Sequence, residues 1–174
     1  YVQANAADGT RVELSSATRE GRPATLEQPS PTLYRIGVSP AVLPGQAVDV
    51  ELQLRAQIPD AEGGPFGASE HVISLAGLLP VVCTDTEQTE LGDESNSIGE
   101  GLPRRVGNWL VSVQLATAWK AFGPQETVGE VPGPEGLTRY VFTGAAARDF
   151  PLLLTRGYQT LTLTAGDVVI ESHF

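Results

Sequence analysis

Alternating apolar and polar residues are the feature that most constrains the fold of this chain. In the clearest case Val48, Val50, Leu52 and Leu54 are separated by polar residues, as in a strand with one face in a core. Comparable patterns predict strands at residues 11–15, 32–38, 71–82, 109–115, 138–143, 161–163 and 168–170. The 19 Gly and 13 Pro lie mostly between these segments. Short strands with frequent turns predict an antiparallel β-sandwich or barrel and argue against a parallel sheet with helices.

Length and composition predict a single domain over residues 1–174. The chain is 41% hydrophobic and 18% charged, which is typical of a globular protein with a core. Its net charge is −10, with Lys120 as the only lysine, and this charge argues against binding nucleic acid or an anionic membrane. No apolar run reaches the ~18 residues that cross a bilayer.

The sequence carries few residues suited to catalysis. It has two histidines, His71 and His173, one cysteine, Cys83, and no His-Glu-x-x-His motif. Glu70 precedes His71, but neighbouring residues of a strand point to opposite faces, so we expect no shared ligand. We therefore predict no metal site and no catalytic residue in this chain. Cys83 is predicted to be a buried, inert thiol, and a single cysteine excludes an internal disulfide.

Residues 85–101 form an acidic segment with six carboxylates and no basic residue. Clustered carboxylates attract calcium, but the segment lacks the spacing of a calcium-binding loop. We predict a solvated loop and leave cation binding open.

Four aromatic residues could instead form a carbohydrate-binding surface, because aromatic faces stack on sugar rings. Trp109 is in register with apolar strand residues and is predicted to pack in the core, whereas Trp119 ends its strand beside Lys120 and is the best candidate for exposure. The set consists of Trp109, Trp119, Phe122 and Tyr140.

Several segments, in order, resemble the amino-terminal β domain of zinc aminopeptidases of the aminopeptidase N family. The strongest is Arg139–Phe150, which ends in Arg-Asp-Phe and is similar to the family's "v-R-D-F" element. The resemblance implies a saddle-like antiparallel β-sandwich that precedes a catalytic domain. The other segments are Thr32–Pro59, Phe66–Gly67, Ile73–Val82, Gly92–Asp93, Trp109–Glu130, Gly157–Tyr158 and Val168–Phe174.

The resemblance also implies what this chain lacks. The family's zinc-binding His-Glu-x-x-His motif belongs to the catalytic domain, so zinc is expected there and no cofactor is expected in this chain. Tyr1–Asn5 resembles a segment that follows the family's first strands. We therefore expect Tyr1 to be a cut within a longer protein and the sheet to lack those strands. Neither a cytoplasmic nor an exported location is favoured.

Glu70 is the one candidate substrate-binding residue. The family's β domain contributes a Glu or Gln that holds the free amine of the substrate, some nine residues before a strand proline. Glu70 lies ten residues before Pro80, one residue out of register. The alternative is a surface carboxylate at the start of a strand.

The resemblance places Arg148, Asp149 and Phe150 at the turn that leaves the strand Tyr140–Phe142. We expect Asp149 to accept backbone N–H bonds, Arg148 to pair with a carboxylate or with carbonyls, and Phe150 to enter the core. The competing interpretation makes Arg148 an exposed ligand-binding residue.

The implied partners are the catalytic domain of the same polypeptide and the peptides that the whole enzyme cleaves. The domain is expected to cap one side of the active-site cleft and to limit access to short peptides. An apolar face should mark the contact, and the candidates are Phe150, Leu152, Leu154 and Phe174. The main alternative is an immunoglobulin-like or fibronectin-like module that binds carbohydrate or protein; an autonomous hydrolase is a third possibility that the composition disfavours.

Overall fold

The computed structural model describes residues 2–3, 11–30, 33–60, 66–82, 106–124 and 127–173. Cys83, Phe174 and the acidic segment at 85–101 lie outside the described residues, so the predictions for them stay untested. In the part of the chain that is described, no helix is both long and apolar enough to span a membrane.

Strands make up almost all of the regular structure. The only helical element in the described ranges is one 3-10 turn, Pro134–Gly136. The strands β1 to β16, given at the end of this paragraph, all pair antiparallel with their neighbours. This pairing confirms the predicted all-β, antiparallel class. The strands are β1 Val2–Gln3, β2 Arg11–Arg19, β3 Arg22–Pro23, β4 Leu26–Ser30, β5 Leu33–Ile36, β6 Val50–Gln57, β7 Phe66–Ala68, β8 Val72–Leu75, β9 Val81–Val82, β10 Gly107–Ala116, β11 Lys120–Phe122, β12 Thr127–Pro132, β13 Leu137–Ala147, β14 Leu153–Thr155, β15 Thr160–Ala165 and β16 Val168–His173.

The main core lies between two sheets with the strand orders β10-β13-β12 and β11-β14-β8-β7. Val111 on β10 pairs with Phe142 on β13, which aligns inward-facing side chains. Both sheets contribute to one buried cluster, in which Phe142 and Phe150 are the largest fully buried side chains. This face-to-face packing is the physical basis of the predicted sandwich.

A second buried cluster joins the sheets β3-β2-β6 and β4-β5-β1-β9. Val12, Leu14 and Tyr34 are its buried members, and the Tyr34 hydroxyl donates a hydrogen bond of 3.2 Å to the carbonyl of Val12. Along β6, Leu52 and Leu54 are half-buried between exposed polar neighbours. The predicted alternation is confirmed for Leu52 and Leu54, whereas Val50 is 39% exposed and Val48 precedes the strand.

Phe150 is held between two glycines. A Cβ on Gly144 would come within 3.0 Å of the Phe150 ring, and a Cβ on Gly123 within 3.2 Å. The Trp109 ring centroid lies 6.2 Å away, and its Nε1 donates a hydrogen bond of 3.0 Å to the carbonyl of Ala147. The predicted core packing of Trp109 is confirmed, and the phenylalanine occupies a pocket closed on several sides.

The predicted apolar docking face was wrong for the three described residues assigned to it. Phe150, Leu152 and Leu154 are only 1%, 5% and 5% exposed and belong to the main core. The chain turns inward after β13 because these residues fill the space between the two sheets. The predicted strand at 71–82 also differs, since a turn at Gly77, with φ of 74°, separates β8 from β9.

Candidate functional site

Glu70 and His71 lie in the tight turn that joins β7 to β8. The turn is closed by Ser69, whose backbone N–H donates to the carbonyl of Val72 at 2.7 Å, while Val72 N–H donates to the Ser69 hydroxyl at 3.2 Å. The assumption that the two residues face opposite sides of a strand was therefore wrong. His71 Nε2 lies 3.9 Å from Glu70 Oε1, and both side chains are largely exposed.

Arg156, which follows β14, fastens this turn to the neighbouring strand. Its Nε donates a hydrogen bond of 2.7 Å to the main-chain carbonyl of Glu70, and its backbone N–H donates to the carbonyl of His71 at 3.0 Å. One terminal nitrogen also lies 4.0 Å from the Glu70 carboxylate, whose side chain is 76% exposed. Because an exposed ion pair contributes little, the backbone hydrogen bonds hold the turn and leave the carboxylate accessible.

The guanidinium of Arg156 also covers Trp119. Its Cζ lies 5.2 Å from the centroid of the indole ring, within the range of a cation–π contact. Trp119 is half-buried against the main core. Tyr140 is buried, and Phe122 meets the edge of Tyr158 at 5.5 Å. The four aromatic residues thus do not form a shared exposed platform for a sugar.

The Glu70–His71 turn is poorly suited to a zinc ion. No group of three His, Cys, Asp or Glu that could hold a metal occurs among the residues that the structure describes. In addition, the guanidinium of Arg156 stands 4.0 Å from the Glu70 carboxylate, and its positive charge opposes a cation there. We therefore assign no metal-dependent reaction to the Glu70–His71 turn.

The surroundings of Tyr140 clearly change the pKa of its hydroxyl. Its hydroxyl lies 3.2 Å from the carbonyl of Trp119 and 3.3 Å from Glu130 Oε1, and Lys120 Nζ lies 3.3 Å from Glu130. Burial, followed by the charge of Glu130 and the hydrogen bond to it, raises the pKa of Tyr140 to about 12. At neutral pH the phenol is therefore a neutral donor on β13, within reach of Glu130 on β12 and of Trp119 just before β11. The sequence predicted a strand at Tyr140, but nothing in it indicated the partners of the hydroxyl.

Residues of both β10 and β13 shape the turn that follows β13. Ala146 has φ of 52°, and its N–H donates a hydrogen bond of 3.1 Å to Asn108 Oδ1 on β10. Asp149 is half-buried and its Oδ1 accepts a hydrogen bond of 2.7 Å from the N–H of Phe150. Arg148 is exposed. Sequence reasoning missed Asn108, because its role depends on the register of β10 against β13.

Replacing Asp149 with alanine should lower the free energy of unfolding by ~1–2 kcal/mol, because the N–H of Phe150 loses its carboxylate acceptor. Chemical denaturation of the variant measures this loss. Asp149→Asn is the matched control, since it retains an oxygen acceptor and should lose less. An unchanged unfolding midpoint for Asp149→Ala would contradict a structural role for this residue.

Comparison with solved structures finds a similar fold within larger zinc metallopeptidases. The chain matches a two-domain M1 zinc metallopeptidase mutant bound to L-tryptophan, with a TM-score of 0.61 and 14% identity, over 99% of this chain and 39% of that chain. It also matches the enzyme from Deinococcus radiodurans bound to a Tyr-Ser-Ala substrate, with a TM-score of 0.60 and 14% identity, over 99% of this chain and 38% of that one. The chain has the fold of the part of these M1 zinc metallopeptidases that it covers.

This M1-type β fold confirms the resemblance at the level of architecture. A third match, a two-domain mutant bound to L-arginine, has a TM-score of 0.62 at 14% identity and again extends well beyond this chain, which covers 38% of it. No protein-family model matches the chain, and no curated protein matches it. Identity of this size bears on the fold alone, so the roles of Glu70, Arg148, Asp149 and Phe150 stay predictions.

Proposed function

We propose that this chain is the non-catalytic β domain of an M1-type zinc metallopeptidase. The observation that carries the proposal is the structural match of 99% of the chain to 38–39% of two-domain M1 zinc metallopeptidases. Residues 1–174 form one domain that packs against the catalytic domain of the same polypeptide. The zinc and the catalytic residues belong to that second domain, and the enzyme as a whole is an aminopeptidase.

In this proposal the β domain shapes access to the active-site cleft. The sandwich is suited to the role because its main core combines aliphatic side chains with large aromatic ones, including Phe142 and Phe150, which are 0% and 1% exposed. Such dense packing resists deformation. The domain therefore acts as a rigid wall on one side of the cleft and limits entry to short peptides.

The full-length protein that contains this chain should bind one equivalent of zinc and hydrolyse aminoacyl-nitroanilides, with activity lost on chelation. Residues 1–174 alone should bind no stoichiometric zinc and show no hydrolysis, because they lack a recognisable three-ligand set. Metal analysis and a nitroanilide assay on both proteins measure this difference. Zinc and chelator-sensitive activity in residues 1–174 alone, or neither property in the full-length protein, would overturn the proposal.

Glu70 is the residue of this domain that we assign to substrate binding, as the group that holds the free amine of the peptide. Its carboxylate is 76% exposed, and Arg156 secures the turn mainly through the main-chain carbonyl. A substitution at Glu70 should therefore remove the charge and leave the turn in place.

In the full-length enzyme, Glu70→Gln should raise KM about tenfold with little change in kcat, equivalent to ~1.4 kcal/mol of lost binding. Glu51→Gln, an exposed carboxylate on β6, is the matched control and should leave KM unchanged. Steady-state kinetics with peptides that have a free amine measure the effect. The same KM for wild type and Glu70→Gln would reduce Glu70 to a surface carboxylate.

A further inference from the structure

The last two strands form a hairpin whose two faces differ in chemistry. β15 and β16 pair only with each other among the described strands, through a two-residue turn that starts at Gly166, with φ of 63°. Both common hairpin turns require a positive φ at this position. The register aligns Leu163 with Ile170 and Ala165 with Val168. Because alternate residues share a face, the apolar face consists of Leu161, Leu163, Ala165, Val168 and Ile170.

This apolar face is uncovered in the chain as it stands. Leu161, Leu163, Val168 and Ile170 are each 50% to 58% exposed. The opposite face carries the threonines at positions 160, 162 and 164, with Val169 as its apolar member. Elsewhere the same alternation buries one face, as with Leu52 and Leu54 on β6.

A two-stranded hairpin with no packed face is at best marginally stable in water. Its base is anchored where Tyr158 meets Phe122 edge-on at 5.5 Å. Adjacent exposed aliphatic side chains of this kind mark an interaction surface. The hairpin therefore has the properties of an element whose apolar face packs against a second surface.

Charge distinguishes between the two simplest occupants, a second copy of the chain and a different domain. Asp167 and Glu171 are the charged residues of the hairpin, and no Lys or Arg occurs in residues 157–174. The whole chain has a net charge of −10, so two copies that meet at this face would bring like charges together. A different domain carries no such penalty, because Glu171 lies on the threonine face of the hairpin and the apolar face itself carries no charge.

We infer that the apolar face of the β15–β16 hairpin is covered by an apolar patch on the catalytic domain of the same polypeptide. The inference rests on the proposed function. It is supported by the matched two-domain structures, of which this chain covers only 38–39%, so that more than half of each lies beyond the region of similarity. The surface replaces the docking face that sequence reasoning had assigned to residues now found in the core.

Hydrogen exchange of the full-length protein and of residues 1–174 tests the inference. Backbone amides of residues 160–173 should exchange roughly tenfold or more slowly in the full-length protein, because coverage suppresses local opening of the hairpin. In the full-length protein, Leu163→Lys should abolish that protection, whereas the control Thr162→Lys, on the opposite face of the same strand, should preserve it. Zinc content is measured on the same samples.

The outcomes separate this inference from the proposed function. Equal exchange in both proteins, with zinc present, overturns the docking surface and leaves the metallopeptidase assignment intact. A full-length protein without zinc or peptidase activity overturns the assignment itself, and with it the named occupant. If residues 1–174 form a dimer by sedimentation that Ile170→Lys dissociates, the occupant is a second copy and the inference is wrong.

Discussion

Replacing Phe150 with alanine is expected to lower the free energy of unfolding by ~3–5 kcal/mol, the largest effect predicted for any single substitution considered in this chain. The ring is 1% exposed and lies near Trp109 and Phe142, with centroid distances of 6.2 and 6.1 Å. Its removal leaves a cavity among the buried side chains of the main core, which relaxes only partly around such a cavity. Equilibrium denaturation by urea measures the loss.

Two further variants test whether the cause is packing. Leu110→Ala, at a neighbouring position of β10 that is 76% exposed, should change stability by no more than ~0.5 kcal/mol. Gly144→Ala should destabilise by ~1–2 kcal/mol, because its Cβ would press on the Phe150 ring from 3.0 Å and an enclosed ring has little room to move. A loss below ~1 kcal/mol for Phe150→Ala would contradict the enclosed pocket and the core around it.

The second large effect is a loss of stability at alkaline pH that depends on Tyr140. Its pKa is raised from 10.0 to about 12 in the folded protein. In that interval the unfolded chain binds fewer protons than the folded one, so the free energy of unfolding falls as pH rises from about 10 to about 12. The total loss is about 2–3 kcal/mol, and below pH 10 the contribution is fully present.

Tyr140→Phe isolates this contribution. At neutral pH the variant should be less stable by ~1 kcal/mol, because Glu130 and the carbonyl of Trp119 lose the hydroxyl donor that lies within hydrogen-bond distance of both. Over the alkaline interval it should show a shallower decline than the wild type. Denaturation at a series of pH values, with phenolate absorbance followed in parallel, measures both effects. Parallel stability curves for the two proteins would show that Tyr140 titrates as an ordinary phenol.

The candidate site shows how far local sequence information reaches. Glu70 was identified from its position relative to Pro80, and the structure places it in an exposed turn. Arg156 is distant in sequence from Glu70 and meets it because β14 pairs with β8. Arg156 also covers Trp119, which precedes β11, the other strand that pairs with β14. A pairing between distant strands depends on the packing of whole sheets, so no local pattern contains it.

The sequence alone determined the all-β class, the antiparallel arrangement and the inward orientation of residues such as Leu52, Leu54 and Trp109. These properties follow from a period of two and from turn residues, which act locally. Only the tertiary structure decided which alternating faces are covered. Leu163 has the same local pattern as Leu54, yet it is 56% exposed while Leu54 is half-buried. Alternation determines which side chains share a face, whereas burial requires a second surface that distant parts of the chain, or another domain, must supply.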